Sequence, residues 1–342
     1  MENFEKTLIK GLQPIRYYAL ASAIYALFEN NIYDQLKGNP LSIDEISKNL
    51  NLDRPKLEGF LLYLKNENVI SIIDKKVGLT PLGKELDSVR PWYTMLIGGY
   101  GKTFLEISEK IPYGKSNASR DAGKVGIGSC GISHYDALPL TKSLLNKLPV
   151  PPKSVLDLGC GNAYYLIELC KMFPKIKAYG VEPDYKGYIA ALELVKQAGI
   201  EIENSVKLYN SDAIDFLNSK ENCTPDVLIL GFVLHEILGQ AGRESLRSFL
   251  LNVMERYPDI YIVVIEVENK ITEPATMKHG LALAYYNPYY LLHYFTSQQL
   301  ESDDFWKTLF DEVGLRIIDQ QTVDNAVDST KLEIGYLLGK KR

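Results

Sequence analysis

SVLDLGCGNAYYL, residues 154–166, joins a run of apolar and β-branched residues to a glycine turn and then to a segment whose apolar side chains recur at helical spacing. A buried strand that ends in glycines and passes directly into a helix opens a parallel α/β sheet, and ligands of such sheets gather at that turn. Gly159 and Gly161 let the backbone turn tightly and approach a ligand, while Asp157 at the strand end can order the loop or accept from a ligand amine. The third glycine of a dinucleotide fingerprint is replaced by Tyr164, which obstructs a pyrophosphate. A cofactor without pyrophosphate is expected, and a nicotinamide dehydrogenase is the weaker reading.

The pattern continues outward from this turn. KAYGVE, VKLYNSD, DVLILGF and YIVVIEV read as buried strands, separated by the helical segments YKGYIAALELVKQAG, AIDFLNSK and ESLRSFLLNVMERY. They predict a Rossmann-like, doubly wound α/β sheet over 151–342. TSQQLESDDFWKTLFDEVG predicts a further helix over 296–314, and LRIIDQQTV with EIGYLLGKK two closing antiparallel strands. Glu182 ends the second strand, about 20 residues after the glycine turn, where an acid accepts ribose hydroxyls. Asp212 ends the third, placed for an adenine amino group with Ala213 beside the base, and Gly231 and Phe232 close the pocket from the fourth. Acids at successive strand ends, in register with the glycine turn, are hard to obtain from packing alone.

Ahead of the sheet, apolar residues from Tyr17 to Leu36 recur at helical spacing. Ser42 with Glu45 reads as a helix start, DRPKLEGFLLYLKNENVI as another helix, and SIIDKKVGLTPLGKEL as a β-ribbon feeding a helix. This is a winged-helix-like outline over 1–91. Residues 41–90 hold eight Lys or Arg against eight Asp or Glu, with no basic recognition face, so dimerisation and substrate cover are favoured over DNA binding. Residues 92–150 read as a connector contributing to the substrate pocket, too rich in Gly and Ser for a long helix or strand. GYGKT at 99–103 is similar to the end of a P-loop, but Leu96 stands where its first glycine belongs.

A net charge of −5 argues against nucleic acid as a partner, and no apolar run reaches the roughly 20 residues of a membrane span. The N-terminal residues mix acids and bases before any apolar stretch and lack a signal-peptide cleavage site, so a cytoplasmic location is expected. Cys130, Cys160, Cys170 and Cys223 show no C-x-x-C spacing and read as reduced core residues.

His134, His235, His279 and His293 all fall after residue 130. His235 follows the fourth strand, where an imidazole can act as a general base or a metal ligand. The motifs D-L-G-C-G, V-E-P and S-D-A resemble those of the class I methyltransferases over residues 150–270, which implies S-adenosylmethionine as cofactor. The winged-helix front and FVLHE are similar to O-methyltransferases that dimerise through the N-terminal domain, which implies a homodimer. The string from GFVLHEILGQAG through HGLALAYYNPYYLLHYFT to STKLEIGYLL resembles the 2-ketoarginine C-methyltransferase group and, more distantly, the phenylpyruvate C-methyltransferases of peptide-antibiotic pathways.

That resemblance implies methyl transfer to C3 of a small 2-oxo acid, with a metal held by His235 and His293. Glu236, where the phenylpyruvate enzymes carry Asp, is implied as a substrate contact or base. Two neutral imidazoles with open positions suit iron or zinc better than magnesium. Arg120 is a candidate anchor for the substrate carboxylate and Trp92 a candidate pocket wall. A guanidinium tail needs an acid, for which Glu236, Glu266, Glu268 and Asp136 are candidates. The alternative is O-methylation of a hydroxylated metabolite with His235 as base and no metal.

Overall fold

Ser42 and Glu45 close a capping box around the start of the helix Ile43–Leu50: Glu45 N–H donates to Ser42 Oγ at 3.2 Å, and Ser42 N–H to the Glu45 carboxylate at 2.7 Å. The computed structural model describes residues 4–219, 221 and 223–341, and divides into two units, Met1–Gly98 and Gly99–Arg342. In the first, helices Phe4–Gly11 and Gln13–Glu29 are followed by Ile32–Leu36, the break falling at Asn31 with φ 56°. Strand β1 (Leu41–Ser42) and the ribbon of β2 (Ile70–Ile73) and β3 (Lys76–Leu79) form a small antiparallel sheet ordered β1-β3-β2. Its core contains Leu27, Ile46, Leu61, Leu64 and Val77, all fully buried, whereas Phe4, Ile9, Leu12, Ile15 and Tyr17 face solvent.

The second unit carries β4 (Ser154–Leu158), β5 (Lys177–Glu182), β6 (Val206–Asn210), β7 (Val227–Gly231), β8 (Tyr261–Val267), β9 (Leu315–Thr322) and β10 (Glu333–Lys340). They lie in the order β6-β5-β4-β7-β8-β10-β9, with β10 antiparallel to both its neighbours and the others parallel. Side chains alternate across a strand, so each apolar run feeds two cores. Leu156, Leu228, Leu230, Ile262 and Val264 meet Phe249, Trp306 and Phe310 on one face; Val155, Val227, Ile229, Val263 and Ile265 meet Leu140, Leu144 and Leu166 on the other. Strand order reverses between β4 and β7, which places the switch-point crevice at the carboxyl ends of those two strands.

Three expectations need correction. Residues 92–150 are not irregular throughout: helices Gly101–Lys110, Ala122–Ser133 and Ala137–Leu145 occupy much of the stretch. Ala122–Ser133 is helical despite four glycines, with Asp121 capping its start by accepting from Lys124 N–H at 3.0 Å, so tertiary context overrides propensity. The helix expected from Thr296 starts seven residues later, at Asp303, capped by Ser302, because Gln298 is drawn into the site described below. Finally, the four cysteines are all free, but only Cys160 and Cys223 are buried; Cys170 packs half-buried against the second core and Cys130 is half-buried. Lys220, at the end of the helix read over 213–220, lies outside the described residues.

Candidate active site

The glycine turn adopts the backbone its sequence demands. Gly159 and Gly161 have φ of 85° and 55°, in the region that favours glycine. A Cβ on Gly161 would lie 2.7 Å from Cys130 Sγ, so this position also admits the helix Ala122–Ser133 against the turn. Glu182 braces the same turn by accepting from Gly161 N–H at 2.8 Å and Asp184 N–H at 2.9 Å. Asp157 is buried beside it. Burial, followed by the negative charge of Glu182, pushes the Asp157 carboxyl up to about 7, and burial raises Glu182 too.

Asp212 is exposed and caps the helix Ala213–Asn218, one oxygen accepting from Ile214 N–H at 2.7 Å and Asp215 N–H at 3.1 Å. Gly231 ends β7 with open space where a side chain would be, and Phe232 turns the chain at φ 59°. The expected cofactor residues therefore stand at the carboxyl ends of β4 to β7, with Ala213 opening the helix after β6.

His235 and His293 come together. Their ring centroids are 5.3 Å apart and both side chains are buried. His235 Nδ1 lies 2.7 Å from Glu266 Oε2, and the other oxygen of Glu266 accepts from Leu234 N–H at 2.9 Å. A carboxylate beside Nδ1 demands a proton there, which leaves the lone pair on Nε2. Burial pulls the imidazolium of His235 down, but the charge and hydrogen bond of Glu266 outweigh it and hold its pKa above the ordinary value.

His293 is fixed through Nδ1, which donates to the Tyr289 carbonyl at 2.7 Å, so its Nε2 likewise carries a lone pair. That atom is buried without a hydrogen-bond partner. Burial, reinforced by His235, holds His293 well below the ordinary imidazole range and therefore neutral. A buried unpaired nitrogen is unfavourable unless something occupies it.

Arg120 is not a free guanidinium. It forms a two-pronged pair with Glu236, at 2.9 and 2.6 Å, and Gln298 Nε2 donates to the same carboxylate at 2.8 Å. Gln298 in turn accepts from Tyr100 O–H at 2.9 Å and sits 3.3 Å from His235 Nε2. Burial disfavours ionised Glu236, but Arg120 more than compensates and holds it below the usual carboxylate range.

Trp92 lies in the N-terminal unit, on the helix Arg90–Tyr93, half-buried. His134 and His279 do not join the pair: His134 contacts Tyr164 O–H at 2.7 Å and His279 contacts Ser329 Oγ at 3.0 Å. The aromatic stretch before His293 is helix, with a π turn over Ala282–Tyr286 ahead of Pro288, and it buries Tyr286, Tyr289 and Tyr290 while leaving Tyr294 exposed. Glu266 as the partner of His235, and Gln298 as the link to Glu236, did not emerge from sequence reasoning. The signal for Glu266 was present, since a carboxylate inside the otherwise apolar strand YIVVIEV must be paired.

Fold and site define a class I S-adenosylmethionine-dependent methyltransferase. No protein-family model matches the chain. The 2-ketoarginine methyltransferase of Streptomyces arginensis is 41% identical over 347 residues, which cover 99% of this chain and 98% of that protein. The chain belongs to the 2-ketoarginine methyltransferase family. Among solved structures, LaPhzM matches with a TM-score of 0.71 at 17% identity, over 99% of both chains. Human N-acetylserotonin methyltransferase in complex with SAM matches with 0.69 at 14%, over 100% of this chain and 99% of that one. At these identities the likeness is one of fold.

Proposed function

We propose that the protein methylates C3 of a 2-oxo acid, with 2-ketoarginine as the leading substrate, and that His235 and His293 hold a metal ion for this reaction. The observation that carries the reading is the buried, unpartnered Nε2 of His293 beside the Nε2 lone pair of His235. The name of the 41% identical relative supplies the substrate class. Each Nδ1 is held by an acceptor, so each neutral ring offers its Nε2 lone pair, which fits iron or zinc. Among the described residues no group of three or more His, Cys, Asp or Glu side chains is placed to hold a metal, so the two imidazoles leave the remaining positions to substrate oxygens and water. When bound, such an ion draws electron density from the carboxylate and keto oxygens of a 2-oxo acid and so acidifies its C3 hydrogens.

The chain's own residues position and shield. Glu266 fixes the tautomer and ring orientation of His235, and the Tyr289 carbonyl does the same for His293. Arg120 keeps Glu236 ionised and stationary next to the histidines, so its role becomes positioning rather than direct anchoring of the substrate. Asp157, Glu182 and Asp212 address the amine, ribose and adenine of the cofactor. Tyr100 and Tyr289 surround the pair with apolar surface that keeps water out. The exposed apolar residues of the first two helices support a homodimer formed through the N-terminal unit, and a monomeric mass by light scattering would refute that part.

A second reading rests on the His235–Glu266 pair, which also suits a general base for O-methylation. Metal analysis of the purified protein, with methyl-transfer assays on 2-ketoarginine, phenylpyruvate and a catechol, separates the two. Stoichiometric metal, and oxo-acid turnover lost with chelator or in His293→Ala, is the expected result. Metal-free protein with chelator-resistant catechol turnover overturns it.

A further inference from the structure

The substrate's cationic tail needs an acid, and most candidates at this end of the sheet already have partners. Glu236 belongs to Arg120, Glu266 to His235, and Glu268 lies 3.2 Å from Lys270 Nζ. Asp136 and Glu333 differ. They are 7% and 3% exposed and hydrogen-bonded to each other, and Glu333 Oε1 is buried with no hydrogen-bond partner. Burial, with the charge of Asp328, pushes the Asp136 carboxyl up to about 7, and burial, followed by the charges of Asp136 and Asp328, raises Glu333 well above the carboxylate range. An empty acceptor in a buried carboxyl pair is unfavourable for folding and favourable for a cation.

Their juxtaposition is built by the fold. Asp136 caps the helix Ala137–Leu145, and Glu333 opens β10, paired with Val267 one residue beyond Glu266. The helix lies close on β10 because residue 335 is glycine: a Cβ there would stand 2.8 Å from Leu144 Cδ1 and 2.9 Å from Leu140 Cγ. Tyr285, Tyr289 and His293 repeat at helical spacing and lead back to the histidine pair, with ring separations of 5.7 Å and then 4.0 Å. Next to Tyr285 in the chain, Tyr286 donates its O–H to the buried Asp328, so the far end of the row also lies among acids. Eight helical residues separate the ends of this row, roughly 12 Å of rise, which suits an extended chain with an oxo-acid head and a charged tail.

We propose that Asp136 and Glu333 form the subsite for the substrate's guanidinium, reached along the Tyr285–Tyr289 row from an oxo-acid head held at His235 and His293. This inference rests on the 2-oxo acid reading for the identity of the ligand. Guanidinium has two parallel donor edges and would meet both carboxylates.

Glu333→Gln retains shape and the hydrogen bond to Asp136 but removes the charge, and Asp136→Asn is its counterpart. For each, kcat/KM is measured on 2-ketoarginine and on uncharged 2-oxohexanoate, with melting curves to confirm folding. The expected result is a fall of at least about 30-fold on 2-ketoarginine with 2-oxohexanoate changed little, since truncating one partner of a buried charge pair is expensive. An equal fall on both substrates, or none on either, overturns the subsite. If wild type turns over neither oxo acid, calorimetry with agmatine decides independently: binding lost in Glu333→Gln upholds a cation subsite while the C-methylation reading fails, and absence of binding to wild type overturns the subsite.

Discussion

Carboxylates are buried in two ways along one edge of the sheet. Beside β7 and β8, Glu236 and Glu266 are matched within the chain, one by Arg120 and the other by His235. Beside β4 and β5, the charges acting on Asp157 and Glu182 are chiefly those of other carboxylates, and both groups are raised. Asp136 and Glu333 belong to this second kind. Ionised carboxylates buried without counter-charge are unfavourable, so under the proposed function their clustering fits positive charge that arrives with a ligand. S-adenosylmethionine carries an ammonium and a sulfonium, and a 2-oxo acid of the arginine type carries a guanidinium. Where geometry must be fixed before any ligand arrives, the fold supplies its own cation.

The sharpest way to break this comparison is to remove the matched charge at Glu266. Glu266→Gln keeps a hydrogen-bonding group at His235 but removes the negative charge, and partners of this kind typically contribute 10- to 100-fold in activity or metal affinity. A loss of about that size, with metal content falling in parallel, is expected from turnover assays and metal analysis. Activity within about twofold of wild type would show that the pairing is only structural.

Next comes Arg120→Ala, which strands Glu236. Breaking a fully buried pair destabilises by about 3–5 kcal/mol; here the side chains retain 20% and 27% exposure, so about 2–3 kcal/mol is expected from denaturant unfolding. The sign with pH follows from the lowered pKa of Glu236: its stabilisation is present above the unfolded value, about 4.3, and is lost as pH falls through the folded one. The difference between wild type and variant should therefore shrink on acidification.

The unmatched side is tested by cofactor binding. Asp157 titrates near 7 in the free protein, and a cationic ligand favours its ionised form. Affinity for S-adenosylmethionine should rise as pH approaches 7 from below, by at most about tenfold per pH unit for one carboxyl that loses its proton on binding, and level off above it. Asp157→Asn should flatten the profile in isothermal titration calorimetry. A wild-type profile that falls with rising pH would contradict the role assigned to the unmatched acids.

The two sides also differ in how much of them could be read in advance. Asp157, Gly159, Gly161, Glu182 and Asp212 lie at the ends of consecutive strands, so alternation and turn chemistry fix their mutual placement. The histidine site instead joins residues from β8, the helix after β7, the aromatic helix and the chain near Tyr100, and contacts between segments so far apart in sequence leave no local period. His235 was legible from its strand end, whereas the union with His293 rested on family resemblance. The occupation of Arg120 by Glu236 was invisible, because a lone arginine in a glycine-rich stretch has the same local pattern whether solvated or paired. Glu333 was hidden inside a strand read as closing structure, although an acid ahead of IGYLLG is as conspicuous as Glu266 within YIVVIEV.

The smallest expected effect belongs to a third kind of carboxylate, solvated and held only by backbone and hydroxyl hydrogen bonds. Glu45 accepts from Ser42 N–H and Oγ–H at 2.7 and 2.8 Å, and these bonds hold its carboxyl below the ordinary value without burial. Ser42→Ala removes the hydroxyl that accepts from Glu45 N–H, and loss of such a cap destabilises by about 1 kcal/mol. Because the box lies in the N-terminal unit, methyl transfer at a temperature well below unfolding should keep its kcat while the melting temperature falls by a few degrees. A drop as large as that of Arg120→Ala would mean that burial is not what separates the strong carboxylates from the weak ones.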